Sequence, residues 1–224
     1  MHANVKTAVP SCAMPAKIVR AQIPRAHSIV TCQRGEQIYA EGDATDKCFQ
    51  VSAGAVRVSR VFANGGRQVV SFHLAGEMFG FEAGPQHRFF AEAIAETRMA
   101  VFERGPVQQH LPELLALAVD GMERAQEHLV VIGRQSAIER VALFLTDLSN
   151  RLGGTRQLTL AMSRQDIADY LALTIETVSR AITELRERSV IALRHARIVY
   201  IMNPDALRSL CGDAASPSEP ARAG

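Results

Sequence analysis

The chain has 224 residues, enough for one large domain or two small ones, since domains run to roughly 100–150 residues. Hydrophobic residues make up 47% and charged residues 21%, a foldable and water-soluble composition that excludes the disordered class. The net charge of +2, from 25 Lys+Arg against 23 Asp+Glu, taken alone offers little attraction to nucleic acid.

No stretch approaches ~18 uninterrupted apolar residues, so no transmembrane helix is expected and a membrane is not among the expected partners. The N-terminus lacks a continuous apolar core of a secretion signal, which points to a cytoplasmic location. Cys12, Cys32, Cys48 and Cys211 are separated by 20, 16 and 163 residues, with no CxxC. They read as free thiols in a reducing cytosol, not as a disulfide framework.

Residues 1–26 carry Pro10, Pro15 and Pro24 without periodicity and read as an N-terminal arm. From 27 to 106 short apolar runs are punctuated by Gly, Asn and Asp at roughly 8–12-residue spacing, which suggests an all-β sandwich or barrel. Val56 and Val58 alternate with Arg57 and Ser59, as on a half-buried strand. Asn64-Gly65-Gly66 then tolerates positive φ, and Gln68 to Leu74 returns as the hairpin partner.

From 107 to 134 the period becomes helical. Leu111, Leu115, Ala118, Met122, Ala125, Leu129 and Ile132 are spaced 4-3-4-3-4-3 and form an a/d seam. Leu114, Leu117, Gly121 and His128 make a second, weaker face. One face can cover the barrel while the other meets a second copy of the chain. The plainer alternative is one amphipathic helix packed only on its own barrel.

Residues 135–211 begin with a helix, Ala137 to Arg151, whose Ile138, Val141, Ala142, Leu145 and Leu148 share a face and which Gly153-Gly154 stops. Ser163 is an N-cap with Asp166 in a capping-box position, opening a helix with Ile167, Ala168 and Leu171 buried. Ala172-Leu173 turns the chain, and Thr174 caps a second helix from Ile175 to about Arg188 with Val178, Ile182 and Leu185 inside. This is the layout of a helix-turn-helix. Val190 to Leu193 and Ile198 to Ile201 read as a two-stranded wing, Asn203-Pro204 starts a last short helix, and 212–224 read as a flexible tail.

The start of the second helix enters the major groove in this motif. Glu176, Ser179 and Arg180 are the candidates for base readout. Arg180 can pair with guanine O6/N7, Glu176 can accept from cytosine N4, and Ser179 can bond either way. Ser163, Arg164, Thr174, Thr177 and Thr183 are assigned to the DNA backbone or to capping. The alternative for the exposed face is a solvated Glu176–Arg180 pair at i,i+4.

The strings GEQIYAEGDATDKCFQVSAGAVRV and HLAGEMFG, the long helix, and MSRQDIADYLALTIETVSRAITELRERSVI together resemble the CRP/FNR family of transcription regulators over about residues 27–211. The likeness implies an α+β fold: an N-terminal β-roll (a cyclic-nucleotide-binding-like jelly-roll barrel), a long dimerisation helix and a C-terminal winged helix-turn-helix. Glu176, Ser179 and Arg180 resemble the E-x-x-S-R set of the FNR/FixK branch, and the likeness is closest to its FixK members. It implies a homodimer on a palindrome of TTGA-type half-sites in double-stranded DNA. It also implies work through RNA polymerase, chiefly as an activator of microoxic, anaerobic or nitrogen-fixation genes.

The departures from the family shape the expectations too. One N-terminal cysteine, Cys12, cannot supply the cysteine set of an FNR iron–sulfur cluster. Phe89-Phe90 stand where cyclic-nucleotide-binding relatives carry an Arg-Ser or Arg-Thr pair, and Arg88 is one residue out of register. Gly76-Glu77 reads as the retained part of that site, and Phe89 and Phe90 as barrel filling. Ala172 replaces the common turn glycine, so the turn is either mildly strained or avoids positive φ. The histidines, including His73, His87 and His110, are dispersed, and surface or satisfied core roles are expected for them. Neither cofactor nor metal is expected, no catalytic motif stands out, and activity without an effector follows. The alternative within the family gates DNA binding by a small molecule, haem or cluster in the β-roll.

Charge resolves by region. Residues 1–133 hold 13 basic and 13 acidic side chains, whereas 134–211 hold 11 and 8, every basic one an arginine. A mildly basic reader doubled in a dimer suffices where fields act over about 8 Å.

Overall fold

The structure is a computed structural model that describes residues 26–103, 105 and 111–211, with the side chains of 111–113 left aside. The expected N-terminal arm up to residue 25, with Cys12, and the tail from 212 lie outside the described residues, as does His110.

Among the described residues, eight strands form the N-terminal half: β1 (Ser28–Cys32), β2 (Gln37–Tyr39), β3 (Lys47–Ala53), β4 (Ala55–Val61), β5 (Arg67–Leu74), β6 (Met78–Phe79), β7 (Phe90–Ala93) and β8 (Thr97–Glu103). They make two four-stranded antiparallel sheets, ordered β1-β8-β3-β6 and β2-β7-β4-β5. Val51, Val56, Ala91, Ala93 and Met99 meet between them and are fully buried. The β3–β4 turn requires glycine at 54. Its φ is +88°, and a Cβ there would sit 2.4 Å from the Glu96 carbonyl oxygen.

The β4–β5 hairpin forms over the expected residues, with one difference. A register shift between Val58 and Ser59 marks a bulge, and Ser59 is buried where strict alternation places it outside. Arg57 is half-buried because it is gripped by carboxylates from two sides.

Helix α1 (Leu111–Ile132) lays Leu114 and Leu117 on Cys48, Met78 and Phe102 of the roll. Helix α2 (Ala137–Arg151) buries Val141, Ala142, Leu145 and Leu148 as expected, and also Phe144. Beyond it come β9 (Gln157–Thr159), α3 (Arg164–Leu171), α4 (Ile175–Glu187), β10 (Ile191–His195), β11 (Ile198–Ile201) and α5 (Pro204–Leu210). The wing is three-stranded, ordered β10-β11-β9, because β9 adds to the expected pair.

One apolar cluster runs through both halves. Ala55, Val69, Phe72, Leu74 and Ile94 of the roll pack with Phe144, Leu145 and Leu148 of α2, and these with Ile167, Ala168 and Leu171 of α3. Tyr170 of α3 closes the junction, with ring centroids 5.1 Å from Phe72, 5.8 Å from Phe144 and 4.0 Å from His128 of α1.

Candidate nucleic-acid interface

The two helices of the reader are set by local chemistry. Ser163 accepts from the Asp166 amide at 3.1 Å, and the Asp166 carboxylate accepts from the Ser163 amide at 2.9 Å, a reciprocal capping box. Thr174 caps α4 by accepting from the Thr177 amide at 3.2 Å. Between them Ala172 adopts φ 53°, ψ 48°, the left-handed region, so the strained form of the turn is realised. Arg140 of α2 holds this turn by donating to the carbonyls of Leu171 (3.0 Å) and Ala172 (3.4 Å).

Val178, Ala181, Ile182 and Leu185 bury one face of α4. The opposite face presents Glu176, Ser179, Arg180 and Thr183 to solvent, with Thr177 half-buried beside them. Arg180 lies 3.5 Å from Thr177 Oγ1 and makes no ion pair within 4 Å among the described residues, although its charge contributes to lowering the Glu176 carboxylate. Its fork of donors is open for a planar acceptor such as a guanine edge. The Glu176 carboxylate is held below its ordinary range by hydrogen bonds at the helix N-terminus, from its own amide first and then Thr174. It is therefore an acceptor at neutral pH. Ser179 donates to the Ile175 carbonyl at 2.8 Å and keeps its oxygen free to accept.

Arg164 points elsewhere than the face of α4. It donates to the Ala196 carbonyl at 3.2 Å and so ties the wing turn to α3, and burial pulls its pKa down.

On α1 the seam faces outward in the single chain. Leu115 is 66% exposed, Met122 55% and Leu129 63%, with Ala118 and Ala125 exposed and Ile132 half-buried. Leu111 begins the helix, and its side chain lies outside the described set. The second face meets the chain's own roll and, through His128, Tyr170.

Between roll and α1 lies a cavity of about 600 Å³, lined by Tyr39, His73, Phe79, Phe81, Phe89 and Arg124 among others. Phe89 fills the wall as expected, whereas Phe90 is half-buried on β7 and lies outside the apolar clusters. Glu77, the retained part of the site in the resemblance, is not among the residues that line the cavity. Its carboxylate meets Arg151 of α2 at 2.8 and 3.0 Å and accepts from the Leu74 amide. Burial alone would raise its pKa, but Arg151 outweighs this and holds it low. His87 is a satisfied core histidine, stacked on Tyr39 and 2.9 Å from Glu82. The Nδ1 atoms of His73 and His128 are buried without a hydrogen-bond partner among the described residues. Cys32, Cys48 and Cys211 are buried, and burial raises the Cys32 thiol.

Sequence reasoning missed the groups that tie reader to roll, Arg57, Arg67 and Arg151, and Arg140, which braces the turn inside the reader. Only Asp166 carried a local signal, and that signal was its cap.

A β-roll joined by a long helix to a capped, winged helix-turn-helix defines a DNA-binding transcription regulator. Residues 139–210 match the Crp-like helix-turn-helix domain and residues 29–111 the cyclic nucleotide-binding domain. The chain is 66% identical over 183 residues to the nitrogen fixation regulation protein FixK of Rhizobium meliloti, covering 82% of this chain and 87% of that one. It is 42% identical to the FixK of Azorhizobium caulinodans, covering 79% and 76%. The FixK2 structure from Bradyrhizobium japonicum superposes with a TM-score of 0.77 at 37% identity, covering 84% of this chain and 98% of that one. The chain belongs to the CRP/FNR family of transcription regulators, in its FixK branch. Its relatives are regulators, not enzymes.

Proposed function

We propose that the protein is a cytoplasmic homodimer that reads a palindrome of TTGA-type half-sites and activates nitrogen-fixation or microoxic genes through RNA polymerase, without a small-molecule effector. The observation that carries this reading is the exposed trio Glu176, Ser179 and Arg180 on a helix capped at Thr174, with Arg180 in no ion pair within 4 Å among the described residues. The outward apolar seam of α1 supports the dimer, which sets two readers about 34–36 Å apart, one turn of DNA. Ser163, Thr174, Thr177 and Thr183 serve capping or backbone contact, and Arg164 acts by bracing the wing. Arg180→Ala should cost about 1–3 kcal/mol of site affinity and relax selectivity at the guanine. Footprinting that finds an unchanged sequence preference in this variant refutes the assignment.

A second reading has one observation in its favour, the cavity between roll and α1. In it, a small molecule gates DNA binding. Phe89 stands in place of the arginine that the resemblance puts beside a cyclic nucleotide's phosphate, which disfavours that ligand, although Arg124 of α1 lines the same cavity. Site affinity that is equal with and without a metabolite extract favours the effector-free form.

A further inference from the structure

A dense polar link between the two halves lies at the start of the helix-turn-helix. Asp166 is only 4% exposed. Its Oδ2 accepts from the Ser163 amide and hydroxyl at 2.9 and 2.7 Å, completing the cap. Its Oδ1 accepts from two arginines of the β4–β5 hairpin, Arg57 Nη1 at 2.5 Å and Arg67 Nη2 at 2.9 Å. Arg67 Nε also donates to Asp169 Oδ2 at 2.7 Å, and Gln68 donates to the Asp169 carbonyl at 2.5 Å. On its other side Arg57 is fixed by Glu92 of β7 at 2.7 Å. Two guanidiniums thus hold one turn of α3 at two carboxylates one helical turn apart.

Apolar contact between Phe72, Phe144 and Tyr170 also joins the halves, but it is non-directional, and the Arg151 fork on Glu77 holds the end of α2 and not the helix-turn-helix itself. Planar arginine forks on fixed carboxylates are directional. The covalent link from α1 to α2 is the four residues 133–136, with Gly133 at its start. That link leaves orientation to non-covalent contacts. The reading face of α4 stays exposed while the arginines are engaged, so the grip orients the reader and does not mask it.

We infer that Arg57 and Arg67 are positioning residues for DNA recognition: by gripping Asp166 and Asp169 they fix the angle of the helix-turn-helix on the β-roll. In the dimer this makes both readers meet half-sites at one spacing. The inference rests on the palindrome reading proposed above. No base contact is assigned to either arginine. They act on how the second half-site is reached once the first is bound.

The test uses the full-length protein with Arg57→Gln and Arg67→Gln, singly and together. Affinity is measured on a single half-site, on the selected palindrome, and on palindromes with spacing changed by one or two base pairs. A loosened reader lowers the effective concentration of the second contact, so palindrome affinity should fall about tenfold in the double variant. Half-site affinity should stay within about twofold, and the penalty for altered spacing should shrink. Arg67→Gln alone, which leaves Arg57 on Asp166, should show the same pattern in smaller measure and serves if the double variant does not fold. Equal losses on half-site and palindrome, an unchanged spacing profile, or tighter binding would each overturn the inference. A wild-type protein that selects no palindrome would instead refute the function on which it rests.

Discussion

Asp166→Ala should destabilise the protein far more than the loss of a helix cap. Capping alone is worth about 1 kcal/mol. Here the same carboxylate is the shared acceptor of Arg57 and Arg67, whose side chains are 15% and 25% exposed. Removing one member of a buried ion pair costs about 3–5 kcal/mol, because the partner charges stay desolvated. Arg57 keeps Glu92 and Arg67 keeps Asp169, which offsets part of that cost. The total expected is about 3 kcal/mol. Urea unfolding followed by far-ultraviolet circular dichroism at pH 7 measures it. The pH dependence supplies a second check. Burial alone would raise the Asp166 pKa, but hydrogen bonds from Ser163 and the two arginines bring it below its ordinary 3.8. A depressed folded pKa gives stability that is present above 3.8 and lost as pH falls through the lower folded value. The gap between wild type and variant should therefore close in strong acid. A loss below about 1 kcal/mol at pH 7 would refute the grip, because a cap alone accounts for it.

Ala172→Gly should stabilise the fold by up to about 1 kcal/mol, since glycine enters the left-handed region without the alanine penalty, less its own entropy cost. Thermal melting checks this, and a marked loss of stability would show the turn unstrained. Leu129→Asp, on the exposed seam, should weaken self-association tenfold or more, about 1.4 kcal/mol, in sedimentation equilibrium. An unchanged dimer would place the interface elsewhere. Burial pushes His73 down from 6.5 to about 4, against the opposing pull of Glu77. Holding it unprotonated costs the fold nothing above pH 6.5, and a penalty of about 3 kcal/mol builds as pH falls from 6.5 and is complete below about 4. His73→Gln should flatten stability over that window, and a profile identical to wild type contradicts the assignment.

The reader was legible in the sequence because its determinants are local. Ser163 with Asp166, and Thr174 with Thr177, sit three residues apart, so caps, turn and exposed trio could be placed without tertiary knowledge. The wing hairpin was legible for the same reason. Strand β9 was not, because three residues, Gln157–Thr159, carry too little alternation and form a strand only by pairing with β11. Ser59 was misplaced because a bulge shifts the period at a residue of no special type. The contacts that join the halves were invisible. Arg57 and Asp166 are 109 residues apart, and nothing local to either announces the other. Glu77 was legible only as the retained part of a site in the resemblance, and nothing local to it announces its partner Arg151, 74 residues away.

The central claim is recognition of a palindrome by Glu176, Ser179 and Arg180 without a ligand. Selection of bound sequences from a random DNA pool, in air and with no metabolite added, tests it most directly. The account predicts enrichment of inverted TTGA-type half-sites about one helical turn apart. Enrichment of no palindrome, or enrichment only when a small molecule is supplied, would contradict it.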